Sequence, residues 1–440
     1  MNKLKFSMVA VLSATMLTAC SLPDSLTGLV PGMSNNTSEA PASTEETAKK
    51  PEFDYGGYDT KPKKILKDTD AEITRSVESF VLGEYVPLPY EIDGIFTESR
   101  GAYTVFSAKS LAIHLSSNFV KKLEEYRPLY GYLVAAGSKT EKIQDPSFGI
   151  NHAVIRFEDP DTARQAAAAL HTEATTVGSV FLESDPPAPR TQVEIPGLPN
   201  TLASSSFNEY DSTTSYMAFT PHEEYVFYTW ASAPQSEEAR NGEFVKKAYE
   251  LQIPLLEQFP SVKTSAGFGK TEEFPSMDPG GMVIYAVQPR PEDDKKNVPG
   301  SFGPRGIAGR FNNSKFIHDT LVQSGSQHNG KVESYVFRAD NDFGARAIFN
   351  AFVSDNLQSG SVEYDEPQGI PDTQCTVEES NSGPQYSCYV INGRYVGYVS
   401  ESADTTKEKQ EEAKKKTSQK LAAQYEILKQ ADQNAGKPEQ

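Results

Sequence analysis

The chain has 440 residues, with 60 Asp and Glu against 42 Lys and Arg, and a formal net charge of −18. A surface this acidic is repelled by phosphate backbones and anionic head groups, which disfavours nucleic acid as a partner. The length suffices for two domains with cores of their own.

The first residues set an address. Lys3 and Lys5 form a basic start, and Phe6 to Leu17 form an apolar run too short to cross a bilayer. Leu17-Thr18-Ala19-Cys20 then resembles the bacterial lipobox. The resemblance implies that Met1–Ala19 is removed as a signal peptide and that the Cys20 thiol carries a diacylglycerol. With further acylation of the freed amine, two or more chains hold a protein stably at a membrane where one does not. Cleavage removes two lysines and no acid, so −18 becomes −20. Residues 20–50 are rich in Ser, Thr, Pro, Asn and Glu and lack periodicity, a composition expected of a disordered tether. About 30 residues of such chain reach roughly 30 Å. No other run approaches transmembrane length.

Of the three cysteines, Cys375 and Cys388 remain once Cys20 carries lipid. In an oxidising compartment they are expected to form a disulfide. The competing reading is a two-Cys metal site, for which no His lies nearby.

The most informative pattern is an internal repeat. Thr104-Val105-Phe106 matches Val283-Ile284-Tyr285 as a β segment, and helical stretches follow at 111–136 and 307–325. Alternating strands come next, 153–157 against 334–337. Acidic turns then open helices, Asp159-Pro160-Asp161 against Asp340-Asn341-Asp342, where acids and Pro suit the free N–H groups of a first turn. Ile195-Pro196-Gly197-Leu198-Pro199 matches Ile370-Pro371-Asp372. In each copy two tyrosines stand in a hairpin, Tyr216 and Tyr225, then Tyr386 and Tyr395, the second around Asn392-Gly393. Amphipathic helices close both, at 243–259 and 405–430. This order predicts an α+β fold of two tandem duplicated units, each a mostly antiparallel sheet packed with helices. The domains are then 51–262 and 272–440, joined by a Gly/Ser/Thr/Pro-rich linker. The first includes a segment without counterpart, 51–100, which holds a helix over 70–83.

Three sets of residues carry a family resemblance. They are Phe53–Lys64 (FDYGGYDTKPKK), Glu84–Asp93 (EYVPLPYEID), and, in the second half, Cys375, Cys388, Gly393-Arg394-Tyr395-Val396 and Ala422-Ala423-Gln424-Tyr425. Together they resemble a lipoprotein family of unknown function from mycolic-acid-bearing actinobacteria. The resemblance implies a two-domain envelope lipoprotein and supplies no activity. The chain departs from it in carrying Lys49, Lys50, Lys61, Lys63 and Lys64 at and after the tether.

Catalytic patterns are incomplete. His222-Glu223-Glu224-Tyr225-Val226 lacks the second His of a zinc protease and reads as a hairpin turn. Gly267-Phe268-Gly269-Lys270-Thr271 lacks the first glycine of a phosphate loop, because Thr264 stands there. No G-x-S-x-G occurs. Six scattered histidines give no pair at ligand spacing, so no metal and no cofactor are expected. The acids in 159–161 and 340–342 read as helix starts, and the mixed charges of 407–416 as a solvated helix face.

Aromatic content remains. Along 225–228 the rows Tyr225/Phe227 and Val226/Tyr228 alternate, so one is expected in the core and one outside. The sharper reading has Tyr216, Tyr228 and Trp230 lining a cleft for an apolar or sugar-like envelope ligand. Arg305 in Gly300–Gly306 would hold an anion beside a helix start. The expected role is a membrane-anchored, extracytoplasmic binding module without enzymatic activity. The alternatives are a structural partner of another envelope protein and, less favoured, an envelope-acting hydrolase.

Overall fold

The computed structural model describes residues 53–64, 71–140, 145–179, 188–293, 299–365 and 367–431. Cys20 and the residues expected to form a leader and a tether lie outside them. Residues 51–440 form one compact unit.

The segment without counterpart forms α1 (Ala71–Leu82), a 3-10 turn (Gly83–Tyr85) and α2 (Pro89–Ile92). The first copy then runs β1 (Glu98–Val105), α3 (Ser117–Glu124), β2 (Tyr130–Gly137), β3 (Gly149–Arg156), α4 (Pro160–Thr176), β4 (Thr191–Val193), β5 (Leu202–Asn208), β6 (Thr213–His222), β7 (Tyr225–Pro234) and α5 (Ala239–Leu256). The second runs β8 (Gly300–Phe302), α6 (Pro304–Ala308), α7 (Ser314–Gln323), β9 (Asn329–Lys331), β10 (Ser334–Arg338), α8 (Asp342–Gln358), β11 (Val362–Glu363), β12 (Thr373–Glu378), β13 (Gln385–Asn392), β14 (Tyr395–Ser402) and α9 (Lys407–Leu428).

Each copy builds a seven-stranded sheet, in the orders β1-β2-β3-β7-β6-β5-β4 and β8-β9-β10-β14-β13-β12-β11. The two orders are the same once β8 is set against β1, and every strand pair in both sheets is antiparallel. Register repeats as well. Phe219 faces Tyr228 across β6–β7 and Tyr389 faces Tyr398 across β13–β14, both as stacked rings. The helix after the third strand starts alike in both copies: the Asp159 carboxylate accepts the N–H of Thr162, and the Asn341 side chain accepts that of Gly344. The duplication is thus topological, down to caps and cross-strand pairs.

Four local expectations are corrected. The stretch 111–136, read as one helix, ends in a strand, Tyr130–Gly137, buried along its whole length, and such an apolar run carries no period to tell the two apart. The 307–325 helix is two, α6 and α7. Val283-Ile284-Tyr285 is a 3-10 turn, because the Asp278 carboxylate gathers the N–H groups of Met282, Val283 and Ile284. The second hairpin turns at Gly393-Arg394, one residue beyond the expected pair, since Asn392 still faces Tyr395. Gly393 has φ +55°, and Glu223 at the same place in the first copy accepts φ +48° without a glycine's freedom.

Both faces of each sheet are covered. In the first, Val226 and Tyr228 pack under α3 and α4, while Tyr225 and Phe227 lie on the side of α5. The expected exposed row therefore does not exist, because helices bury both. In the second sheet Tyr389 and Tyr398 face α8, while Cys388, Tyr395 and Val399 face α9. One apolar cluster joins the α5 face of the first sheet to the α8 face of the second. The repeats therefore meet head to tail through unlike faces. Between them sits α1: Phe80 packs edge-on against Phe302 at 4.7 Å, and the Ser79 hydroxyl accepts the N–H of Val105 and donates to the Gly131 carbonyl. Behind α1, the Glu84 carboxylate accepts the N–H groups of Arg305 and Gly306 at the start of α6.

Cys375 and Cys388 are directly opposed on β12 and β13 and form the expected disulfide, with their Cα atoms 4.1 Å apart. In the chain-entropy model the 13-residue separation corresponds to about 3 kcal/mol. Replacing both by Ala is expected to lower unfolding free energy by about that amount in urea titrations, and reductant should then leave the double variant unchanged.

Candidate functional site

The residues expected to line a cleft are dispersed. Tyr228 is buried under α4, and Trp230 is partly buried on that same face of the sheet. Tyr216 lies on the opposite face, its hydroxyl 3.3 Å from a Glu238 carboxylate oxygen. Arg305 sits at the junction of the halves, where its guanidinium pairs with the Glu91 carboxylate. On opposite faces of one sheet, Tyr216 and the pair Tyr228 and Trp230 do not line a common cleft.

Several charges are buried and matched. Arg156, 1 % exposed, lies between Glu224 at 3.2 Å and Glu78 at 3.7 Å. It also donates to the Tyr130 hydroxyl and to the carbonyls of Val262 and Phe268. Burial raises the Glu78 pKa, against the pull of Tyr130 and Arg156. Lys420 on α9 donates to Glu333 at 2.6 Å and Glu401 at 2.5 Å. The Lys270 ammonium is taken up by the carbonyls of Leu256, Glu257 and Phe259, so the loop that loosely resembled a phosphate cradle is a latch on the end of α5. No group of three or more His, Cys, Asp or Glu able to hold a metal occurs among the described residues.

His152 is fully buried, with Nδ1 2.9 Å from the Thr229 hydroxyl and Nε2 3.2 Å from the Gln252 amide oxygen. Burial holds its pKa down to about 4, so the imidazole is neutral in the folded chain. Since the unfolded imidazole binds its proton near pH 6.5, stability is present above that value and lost as pH falls toward 4. Buried Glu78, Glu84 and Asp355, whose pKa values are raised by burial, act in the opposite sense. The comparison with His152→Asn isolates the imidazole. Between about pH 7 and pH 5 the wild type should lose about 2 kcal/mol more than the variant, read from chemical denaturation at each pH.

Several hollows open to solvent among the described residues. One of about 660 Å³ runs between α7 and α8 and is lined by Phe316, Thr320, Gln323, Asp340, Asn341 and Phe343, with Gly344, Ala347 and Ala351 along one side. Phe343 is 89 % exposed. The equivalent position of the first copy, two residues past the helix cap, holds Asp161, paired with Arg164. A smaller hollow, about 410 Å³, is lined by Tyr103, Thr104, Phe106, Ser107, Lys109, Ser110 and Arg310. Neither Phe343 nor Arg310 stands out in sequence. Each acquires meaning from the other repeat or from the partners the fold withholds.

No described helix is long and apolar enough to cross a membrane. Residues 66–267 match the family model described as "Domain of unknown function (DUF7373) N-terminal", and residues 282–431 match the corresponding C-terminal model. No curated protein matches the chain in sequence. In structure the chain is similar to the extracellular domain of PknH from Mycobacterium tuberculosis. That similarity has a TM-score of 0.28 at 11 % identity, over 40 % of this chain and 94 % of that one, too low to bear on function. The two matched segments together span most of the sequence, and the chain belongs to the DUF7373 family, a two-part domain of unknown function.

Proposed function

We propose that this chain is a lipoprotein anchored through Cys20 on the extracytoplasmic face of the cell membrane, and that it acts by binding a partner protein rather than by catalysis. The leader and the Leu17-Thr18-Ala19-Cys20 motif support the anchor. The observation that carries the binding role is the trough between α7 and α8, with Phe343 standing out where the sister repeat keeps an ion pair. Exposed aromatic patches of this kind mark interaction sites.

The lining favours a peptide over an acyl chain. Small residues Gly344, Ala347 and Ala351 allow a backbone to approach α8, while Thr320, Gln323, Asn341 and Asn350 offer hydrogen bonds. An acyl chain would bury those groups unpaired, at a cost that a peptide's own N–H and carbonyl groups avoid.

Photo-cross-linking in cells from an aromatic ketone at position 343, with position 161 as control, tests this. A discrete protein adduct from 343 alone is expected. Phe343→Asp, the first-copy residue type, should compete poorly for that partner while changing unfolding free energy by less than about 0.5 kcal/mol. A lipid adduct, a self-adduct or equal labelling from 161 would sink the partner reading. Cys20→Ala should release the chain from the membrane fraction.

A further inference from the structure

Arg310 follows α6, at the seam between the two halves. Its guanidinium lies over the Phe302 ring, 4.8 Å from the centroid, and against the phenol oxygens of Tyr132 and Tyr335. Among the described residues no carboxylate pairs with it, and its Nε is buried without a hydrogen-bond partner. Burial pushes Tyr132 up to about 12, so that phenol supplies no negative charge, and its hydroxyl already donates to the Gly306 carbonyl at 2.5 Å. The contrast with Arg156 and Lys420, each set between two glutamates, is direct. An interior cation without a counter-charge is costly unless something supplies one.

Arg310 also lines the smaller hollow, together with residues of β1 and the turn after it. That segment carries Thr104, Ser107, Lys109 and Ser110, with the Ser107 and Ser110 hydroxyls 3.4 Å apart, and the lining contains no carboxylate, in a chain with 60 acids against 42 basic residues. Among the described residues the acid paired with Lys109 is Glu124, 3.9 Å away, and both side chains are exposed, so the pair is weak. Burial first and Arg310 next hold the nearby Lys331 down to about 8.

We propose that this hollow binds a phosphate-type oxyanion, with the Arg310 guanidinium at its floor and Lys109, Ser107 and Ser110 at its rim. Several donors converging from two elements suit a tetrahedral anion, and guanidinium supplies the strongest of them. Phe106, 43 % exposed in the same wall, offers an apolar neighbour to whatever bears the phosphate. The site is separate from the α7–α8 trough and stands or falls independently of it.

The test uses the mature full chain in neutral detergent, with thermal melting followed against two probes at fixed ionic strength. One is inorganic phosphate, the other dihexanoyl phosphatidic acid. A saturable rise in melting temperature with inorganic phosphate assigns a free anion. A rise with phosphatidic acid alone assigns a lipid headgroup. In either case Lys109→Gln/Ser110→Ala, two surface changes that keep the unliganded melting temperature, should weaken binding by about tenfold or more, and Arg310→Lys should weaken it further. No saturable rise with either probe overturns the proposal. So does a rise that the double variant leaves unchanged.

Discussion

Arg156→Met should destabilise the chain by about 3–5 kcal/mol, because it strands two carboxylates in the interior. Glu78 and Glu224 are both nearly inaccessible, and Arg156 is the cation between them. The substitution also removes the donors that hold the Val262 and Phe268 carbonyls, so the 261–271 loop should become sensitive to protease at the same time. The origin of the loss is testable by adding Glu78→Gln and Glu224→Gln. If stranded charge dominates, the triple variant should recover about half of the lost stability or more in urea titrations. If lost packing and loop contacts dominate, the added changes will recover nothing, and the electrostatic account fails.

Phe80→Ala is the second large effect, expected at about 3–5 kcal/mol from the cavity it leaves. Phe80 belongs to α1, yet its ring packs on Phe302 of the second half, and a Cβ added at Gly300 would fall within 2.5–2.6 Å of ring atoms. The space was shaped around that ring. Because α1 also pins β1 and β2 through Ser79, the cavity opens at the seam of the two sheets. Calorimetry should show one transition for the wild type. Phe80→Ala should broaden or split it as the halves begin to unfold separately. An equally destabilising change inside one half, such as Phe119→Ala, should lower the transition without splitting it. Matching profiles for the two would dismiss α1 as the coupling element.

What sequence could reveal here depended on whether a signal was local. The starts of α4 and α8 were legible because Asp159 and Asn341 announce themselves by cap chemistry. The hairpins were legible by their tyrosine spacing, and the Cys375–Cys388 bond by counting. The β2 strand was lost because Tyr130–Gly137 is buried on both faces, which erases the alternation that marks a strand. The same cause misplaced the outer row of β7, since covering by α4 and α5 is a property of the assembled layers. Arg305 and Arg310 show the limit for sites. They are five residues apart and of identical type, but Glu91 from a distant helix neutralises one and no described carboxylate meets the other. Counter-charge is decided by the fold.

The arm that begins the folded body ends up beside the helix that finishes it. Phe53 meets Tyr425, the Gln419 amide donates to Asp54 at 2.8 Å, Arg290 donates to the Gly56 carbonyl while lying over Tyr58, and Gln430 reaches the Thr60 carbonyl. A ribosome delivers Phe53 about 370 residues before Tyr425, so the first of these must wait through that span for its neighbour. Loop closure over that span makes folding slow, and it withholds this apolar cluster until α9 has been made. A chain cut short before α9 leaves residues 53–60 without the neighbours they pack against.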